Sequence, residues 1–138
     1  MAQAPARYLL DTNICIYIAK GQPLAVRHRF AQHSIQELAM STITVGELRF
    51  GAEKSQARAR ALATIDELAQ MIQPCALPKA AAEHYGRIRA ALQELGQPIG
   101  NNDLWLAAHA LAEGWTLVTN NTREFDRVPG LRVENWVA

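Results

Sequence analysis

The sequence predicts an α/β fold, with a mostly parallel sheet of four to five strands and helices on both faces. Short apolar segments alternate along the chain with longer segments of helical periodicity. Parallel strands need crossover connections, and helices in those connections cover both faces of the sheet. The chain has 138 residues, 49% of them hydrophobic, which is enough to bury one core. We therefore expect residues 1–138 to form a single domain.

Five short apolar runs bounded by polar residues are typical of strands, and six longer runs repeat apolar residues at helical spacing. The predicted strands are 7–10, 37–40, 73–77, 116–119 and 132–136. The predicted helices are 13–20, 24–34, 42–54, 57–72, 79–95 and 102–113. Capping residues support these boundaries: we expect Thr12 or Asn13 to begin the first helix, Ser41 or Thr42 the third, and Gly114 to end the last.

Composition excludes a membrane span and gives no functional role to the cysteines. The apolar runs are far shorter than the roughly 18 residues of a membrane helix, and the N-terminal MAQAPAR lacks an apolar signal-peptide core. We expect a cytoplasmic protein. Cys15 and Cys75 lie in apolar surroundings without metal-ligand spacing, so buried free thiols are expected.

Basic residues are concentrated in one part of the chain. The net charge is only +1, so the whole chain is not a polycation. A cluster that contains one acid, Glu53, comprises Arg49, Lys54, Arg58 and Arg60. Arginine grips phosphate with a planar fork, and a solvated helix face explains such a cluster equally well.

Two acids stand where a helix begins. Asp11 follows the first predicted strand, and Asp103 lies in the first turn of the last predicted helix. Helix capping explains each of them taken alone. Thr12 or Asn13 can supply the first cap, which would leave the Asp11 carboxylate free for another role.

Glu47 interrupts an apolar helix. Ile43 precedes it by four residues and Phe50 follows by three, which places Glu47 on a stripe with apolar neighbours. A buried carboxylate needs a compensating partner. The alternative is a core stripe through Val45, Leu48 and Ala52, with Glu47 at its solvent edge.

The three acids can converge in a parallel sheet. If the first and fourth strands are neighbours, Asp11 and the segment after Val118 lie at one sheet edge, and the helices carrying Glu47 and Asp103 can point toward it. Carboxylates brought so close repel one another, and a hard divalent cation reverses that penalty. Ligands that are all oxygen indicate Mg²⁺, with Mn²⁺ as a substitute, rather than zinc.

Three segments carry a resemblance to a known family. They are DTNICIY, STITVGELRFGAEKS and IGNNDLWLAAHALAEGWTLVTNNTREFDRVPGLRVENW, and they run in order across nearly the whole chain. The sequence resembles the PIN-domain ribonucleases, specifically the VapC toxins of bacterial toxin–antitoxin pairs. The resemblance implies a PIN-like α/β fold and an endoribonuclease dependent on Mg²⁺ or Mn²⁺.

The resemblance also assigns roles to residues. Asp11, Glu47 and Asp103 match the family's first, second and third acids, which are both metal ligands and catalytic groups. Where many PIN domains carry a further acid, this chain has Asn121, which can ligate a metal through its carbonyl or hold a metal-bound water. Glu124 is expected on a surface helix, and a contribution to the metal site through water is the alternative.

The resemblance further implies a substrate and partners. The expected substrate is RNA, in this branch transfer RNA cut in its anticodon region. Arg49 and Lys54 fall within the matched motif and are candidate RNA contacts, as are Arg58 and Arg60. A VapB-like antitoxin and a homodimer are the expected protein partners.

Two other functions are compatible with part of the sequence. A haloacid-dehalogenase-like phosphatase also places an Asp after its first strand but needs an acid two residues later, where this chain has Asn13. A non-catalytic RNA-binding protein that retains the fold is the remaining alternative. The four histidines show no arrangement for a two-histidine acid–base site, so we expect structural roles for them.

Overall fold

A five-stranded sheet with every strand pair parallel organises the chain, as seen in a computed structural model that describes residues 7–137. The strands are β1 (Tyr8–Leu10), β2 (Leu38–Ser41), β3 (Gln73–Cys75), β4 (Thr116–Val118) and β5 (Val133–Glu134), in the spatial order β3-β2-β1-β4-β5. The predicted α/β fold class is confirmed. Because β1 lies in the centre with β2 and β4 on either side, the chain segments after these three strands meet at one edge.

Helices fill the connections between the strands. They are α1 (Thr12–Lys20), α2 (Leu24–Ala31), α3 (Thr42–Glu53), α4 (Arg58–Met71), α5 (Ala81–Glu94), α6 (Asn101–Glu113) and α7 (Thr122–Phe125). All predicted elements are present, although most are shorter than expected. The short helix α7 and a 3₁₀ helix, Ile35–Glu37, had no counterpart among the predicted elements.

The strands are buried on both faces because alternate residues point in opposite directions. Leu9, Ala39 and Leu117 belong to a core cluster that includes buried residues of α5 and α6. The next residues along each strand, Leu10, Met40 and Val118, belong to a second cluster with buried residues of α1 and α4. Helices therefore cover both faces of the sheet, as predicted.

Two predicted caps differ from those observed. The helix α1 begins at Thr12, within the prediction, but its N-cap is Asp11, whose side chain accepts a hydrogen bond from the Thr12 amide; the prediction that Thr12 or Asn13 supplies the cap was wrong. Ser41 caps α3 and Gly114 ends α6 in the left-handed conformation, as predicted. Asp11 supplies the cap because its carboxylate, at the end of β1, directly reaches the Thr12 amide, which has no partner within the helix.

Several smaller expectations can be compared with the described residues. Cys15 is buried and Cys75 half-buried, both as free thiols. Within residues 7–137, the helices are too short or too polar to cross a membrane. The prediction that MAQAPAR is not a signal peptide concerns residues that, apart from Arg7, lie outside the described range.

His109 is the one histidine with no exposed surface among the described residues. It lies in α6, and its Nδ1 is 2.9 Å from Ser41 Oγ. Its ring also packs at a tilt against Trp115. Burial lowers the pKa of His109 to about 4, from an ordinary value of 6.5. The histidine is therefore neutral at physiological pH.

This burial predicts acid lability. Because its folded-state pKa lies below its unfolded-state pKa, the folded protein binds fewer protons between about pH 4 and pH 6.5, and stability falls as the pH drops through this window. The contribution is at most about 3 kcal/mol. Urea unfolding from pH 7 to pH 4 should show a shallower pH dependence for His109→Asn than for wild type. His28→Asn, at an exposed histidine of α2, serves as the control; equal slopes in all three proteins would contradict the prediction.

Candidate active site

Asp11 lies at the centre of the sheet edge where β1 and β4 end. It is only 7% exposed, and its amide donates to the Val118 carbonyl at 2.9 Å. One carboxylate oxygen accepts from the Thr12 amide at 2.7 Å, and the other accepts from Thr119 Oγ1 at 2.8 Å. Asp11 is thus both a helix cap and a fixed carboxylate, two roles that the sequence had presented as alternatives.

Glu47 projects from α3 toward the start of α1. Its carboxylate accepts a hydrogen bond of 2.8 Å from Thr12 Oγ1, and the residue is half-buried. The predicted stripe with Phe50 was wrong, because Phe50 is 65% exposed. Instead, the face of α3 that packs on the core runs through Val45, Leu48 and Ala52, the alternative that placed Glu47 at its edge.

Asp103 and Glu124 lie against each other. Asp103 is half-buried in the first turn of α6, and its interaction with the carboxyl group of Glu124 in α7 contributes to raising the pKa of Asp103. Asn121, the residue before α7, donates a hydrogen bond from its Nδ2 to a carboxylate oxygen of Glu124 at 2.9 Å. Glu124 therefore joins Asp11, Glu47 and Asp103 in an acid cluster at this edge of the sheet, and Asn121 holds the Glu124 side chain in place.

The four acids influence one another electrostatically. Burial, the hydrogen bond with Glu124 and the charges of Asp11, Glu124 and Glu47 raise the pKa of Asp103 to about 7. Burial also raises the pKa of Asp11, and the Glu47 and Glu124 charges act in the same direction, against the hydrogen bonds from Thr119 and Thr12. The site thus accumulates negative charge that the protein only partly compensates.

An oxygen-rich cluster of this kind fits a hard divalent cation. Asp11, Glu47 and Asp103 supply carboxylates, which suit Mg²⁺ or Mn²⁺, and a positive charge would remove the repulsion that raises the pKa of Asp103. Among the described residues, no three His, Cys, Asp or Glu side chains form a closed ligand group. The carboxylates of Asp11 and Glu47 accept hydrogen bonds from Thr119 and Thr12, so ligation would require reorientation of flexible side chains such as Glu47.

Two threonines that sequence reasoning did not assign to the site hold its acids. Thr12 fixes Glu47, and Thr119 fixes Asp11 while also accepting from the Asn121 amide at 3.0 Å. Thr12 directly follows Asp11, and Thr119 lies two residues before Asn121. A signal for them was present, but Thr12 was interpreted as a helix cap.

The predicted cationic residues differ in their surroundings, although all four are exposed. Arg60 lines a groove of about 470 Å³ that also includes Thr12 and Glu47. Arg58 is paired with Glu53 through two hydrogen bonds of 2.9 and 3.0 Å. Lys54 places its ammonium 4.6 Å from the centre of the Phe50 ring.

Grooves lie on both sides of Glu47. Gly51 contributes to the groove of about 470 Å³, and Gly46 to another of about 660 Å³ that includes Phe50 and Asn102. Apart from the nearby backbone of α3 itself and the adjacent residues, no atom of residues 7–137 lies within 4 Å of where a Cβ would stand on either glycine. Both glycines therefore border open space beside the acid cluster.

The fold and its acidic edge define a class of nuclease-like domain, and comparison with known proteins identifies it. Residues 8–131 match the PIN domain family model, and the chain belongs to the PIN-domain family. Within that family it is similar to ribonuclease VapC2 of Haemophilus influenzae, at 46% identity over 95% of this chain and 98% of the relative. The tRNA(fMet)-specific endonuclease VapC of Shigella flexneri is 46% identical over 94% of this chain and 98% of its own length.

Comparison with solved structures also finds VapBC proteins as similar structures. The DNA-bound VapBC structure from Salmonella typhimurium matches with a TM-score of 0.89 and 41% identity, covering 96% of this chain and 99% of that one. VapBC-1 from nontypeable Haemophilus influenzae matches with a TM-score of 0.86 and 37% identity, over 95% and 98% of the two chains. The expected resemblance to VapC-type PIN domains is confirmed.

The raised pKa of Asp103 predicts a gain of stability on neutralising this residue. Since its folded-state pKa exceeds its unfolded-state pKa, the folded protein binds more protons between about pH 4 and pH 7, and stability falls as the pH rises through that window. Asp103→Asn should therefore unfold at higher denaturant than wild type at pH 8 in EDTA. The difference should be on the order of 1–2 kcal/mol, because the side chain is half-exposed and partly screened.

The same denaturation curves at pH 4 provide the internal comparison, since the wild-type carboxyl group is then largely protonated. Asp66→Asn, at an exposed acid of α4, removes the same charge away from the cluster and should produce no such gain. A wild type as stable as Asp103→Asn at pH 8 would show that the acids do not repel one another in solution.

Proposed function

We propose that this VapC-type ribonuclease is a toxin that hydrolyses transfer RNA at its acidic site, with Mg²⁺ as the cofactor and Mn²⁺ as a substitute. The observation that carries the proposal is the shared electrostatics of Asp11, Glu47, Asp103 and Glu124 at one sheet edge. Relatives named ribonuclease VapC and tRNA(fMet)-specific endonuclease VapC support the reaction and the substrate. We also propose that the protein acts in the cytoplasm, where transfer RNA is found.

The metal would be held by Asp11 and Asp103, with Glu47 binding directly or through water and Asn121 as a weaker candidate ligand. When bound, Mg²⁺ supplies a positive charge that lowers the pKa of water and stabilises negative charge developing on the phosphate. Asp11 is suited to a fixed ligand because Thr12 and Thr119 hold its two oxygens at the end of β1. Glu47 is oriented by Thr12 Oγ1.

Asp103 is the group that we assign to proton transfer. A general base must lie within hydrogen-bond reach of the water that it deprotonates, and Asp103 is half-exposed beside the other acids of the site. Asp103 accepts a proton from water, and the water oxygen forms a bond to phosphorus. The bond from phosphorus to the 3′ oxygen then breaks, and that oxygen takes up a proton. The products are a 5′-phosphate and a 3′-hydroxyl.

A protein partner and an RNA strand both have surfaces available next to this site. The groove of about 470 Å³ has apolar walls from Ile16, Leu48, Ile65 and Leu68 and reaches Glu47. We propose that a VapB-like antitoxin covers it and inhibits cleavage, in line with the VapBC complexes among similar structures. We further propose a homodimer as the active form, as the family resemblance implies.

The first test is cleavage of total transfer RNA by wild type and Asp11→Asn. Wild type should cut only with Mg²⁺ or Mn²⁺, and EDTA should abolish cutting. Asp11→Asn should lower the rate by at least about 100-fold, because the substitution removes charge from a fixed ligand position. Sequencing of the fragment ends reports the cleavage site and whether a 5′-phosphate is formed.

The outcomes of this test separate the candidate functions. RNA binding without cutting by wild type would indicate the non-catalytic alternative. A 2′,3′-cyclic phosphate would contradict water attack, since it requires the RNA 2′-hydroxyl as nucleophile. Turnover of small phosphomonoesters would favour the phosphatase reading, which the exposed position of Asn13 and the VapC relatives oppose.

A second test concerns the RNA-contacting cations. If Arg49 contacts a phosphate, Arg49→Ala should weaken RNA binding severalfold at low salt and reduce the slope of log affinity against log salt by about 1. Arg87→Ala removes the same charge from α5, where Arg87 borders a groove with Leu111 and Pro129, away from the acids. Equal losses in the two variants would show a general charge effect and no contact at Arg49. Filter binding to transfer RNA across a salt series, in Ca²⁺ to prevent cutting, provides the measurement.

A further inference from the structure

A buried hydrogen bond joins the two helices that carry Glu47 and Asp103. His109 Nδ1 in α6 lies 2.9 Å from Ser41 Oγ at the N-cap of α3, and neither residue has exposed surface. The Ser41 hydroxyl also accepts from the Ile43 amide at 3.1 Å. The junction of β2 and α3 is thereby tied to the middle of α6.

The two acids lie at equal distances along the sequence from the two residues of this bond. Glu47 follows Ser41 by six residues in α3, and Asp103 precedes His109 by six residues in α6. Six residues of α-helix rise about 9 Å, so a rigid helical segment of the same length leads from the bond to each acid. A shift at the bond would therefore be carried along both helices to the two carboxylates.

The histidine is costly to place in this core if packing is its only purpose. Among residues 7–137, its Nε2 atom finds no hydrogen-bond partner, so the described protein groups leave one polar ring nitrogen unsatisfied in an apolar environment. Its neighbours in α6, among them Leu106, Ala107, Ala108 and Ala110, are apolar and fully buried. A leucine or phenylalanine would fill such a space without that penalty. The ring nitrogen bonded to Ser41 is the feature that an apolar residue would lose.

We propose that the Ser41–His109 hydrogen bond sets the register between α3 and α6 and so holds Glu47 and Asp103 in their working arrangement. His109 is then a positioning residue for phosphodiester hydrolysis, without contact with substrate. This inference rests on the proposed function, because it assigns a role in that reaction.

The experiment compares steady-state cleavage of transfer RNA by wild type, His109→Phe and His109→Asn. Phenylalanine fills a similar volume and removes the hydrogen bond, so kcat should fall about 10- to 100-fold while KM stays within about twofold. Asparagine offers an amide near the former Nδ1 position and can donate or accept, so it should restore most of kcat. Loss with phenylalanine and rescue with asparagine is the expected result.

A second variant approaches the same bond from the other side. Ser41→Ala removes the hydroxyl, and its effect on kcat should not add to that of His109→Phe in the double variant, because both substitutions remove one interaction. Ile88→Val is the matched control. It removes one methyl group from a buried residue of α5, in the core cluster that includes the apolar residues of α6, and destabilises the protein without removing the Ser41–His109 bond. Its kcat should equal that of wild type at a temperature where all variants are folded.

Three results would overturn the proposal. One is a wild-type kcat in folded His109→Phe; another is a kcat loss in Ile88→Val as large as that in His109→Phe; the third is additive kcat losses in the double variant. Inactive wild type would remove the proposed function itself, and that result is distinct because every variant would be inert. Hydrogen exchange of the amides of α3 gives an independent reading, and we expect faster exchange in His109→Phe but not in Ile88→Val.

Discussion

The Asp11 carboxylate ties the sheet to the acidic site. It lies at the end of the central strand β1, almost without solvent contact, and its two oxygens are bonded to different parts of the chain. One bond, from the Thr12 amide, begins α1; the other, from Thr119, comes from the residue after β4. The same interactions that stabilise a buried negative charge therefore fix where α1 starts and how β4 ends relative to β1.

Around Asp11 the fold gathers charges that oppose folding. Glu47, Asp103 and Glu124 come from α3, α6 and α7, and their mutual repulsion contributes to the raised pKa of Asp103. In the part of the chain that the structure describes, the other buried polar residues are the neutral His109 and the hydroxyl-bearing Ser41, Thr44 and Thr119. Repulsion among these acids therefore lowers the stability of the folded protein, as is common where a protein binds a cation or catalyses a reaction.

Most strands and helices could be predicted from the sequence because apolar residues repeat at different intervals in strands and in helices. The strands around Leu9, Met40 and Leu117 were found where short apolar runs predicted them. Errors arose where one residue can serve two purposes. Asp11 caps α1 although Thr12 was available, and Thr12 is thereby free to orient Glu47. Periodicity also placed Phe50 on the wrong side of α3, since two overlapping apolar stripes fit the same helix.

The sequence by itself determined the alternation of strands and helices and the acids at segment starts, and the family resemblance selected three of those acids as candidate metal ligands. The folded chain alone decided what each acid contacts. Thr12 and Glu47 are 35 residues apart, and Asp11 and Thr119 are 108 apart. Local patterns report on neighbours within a few residues, whereas hydrogen bonds and charge repulsion act through space. For that reason the contacts of Glu124 with Asn121 and of His109 with Ser41 are decided only when the helices pack against the sheet.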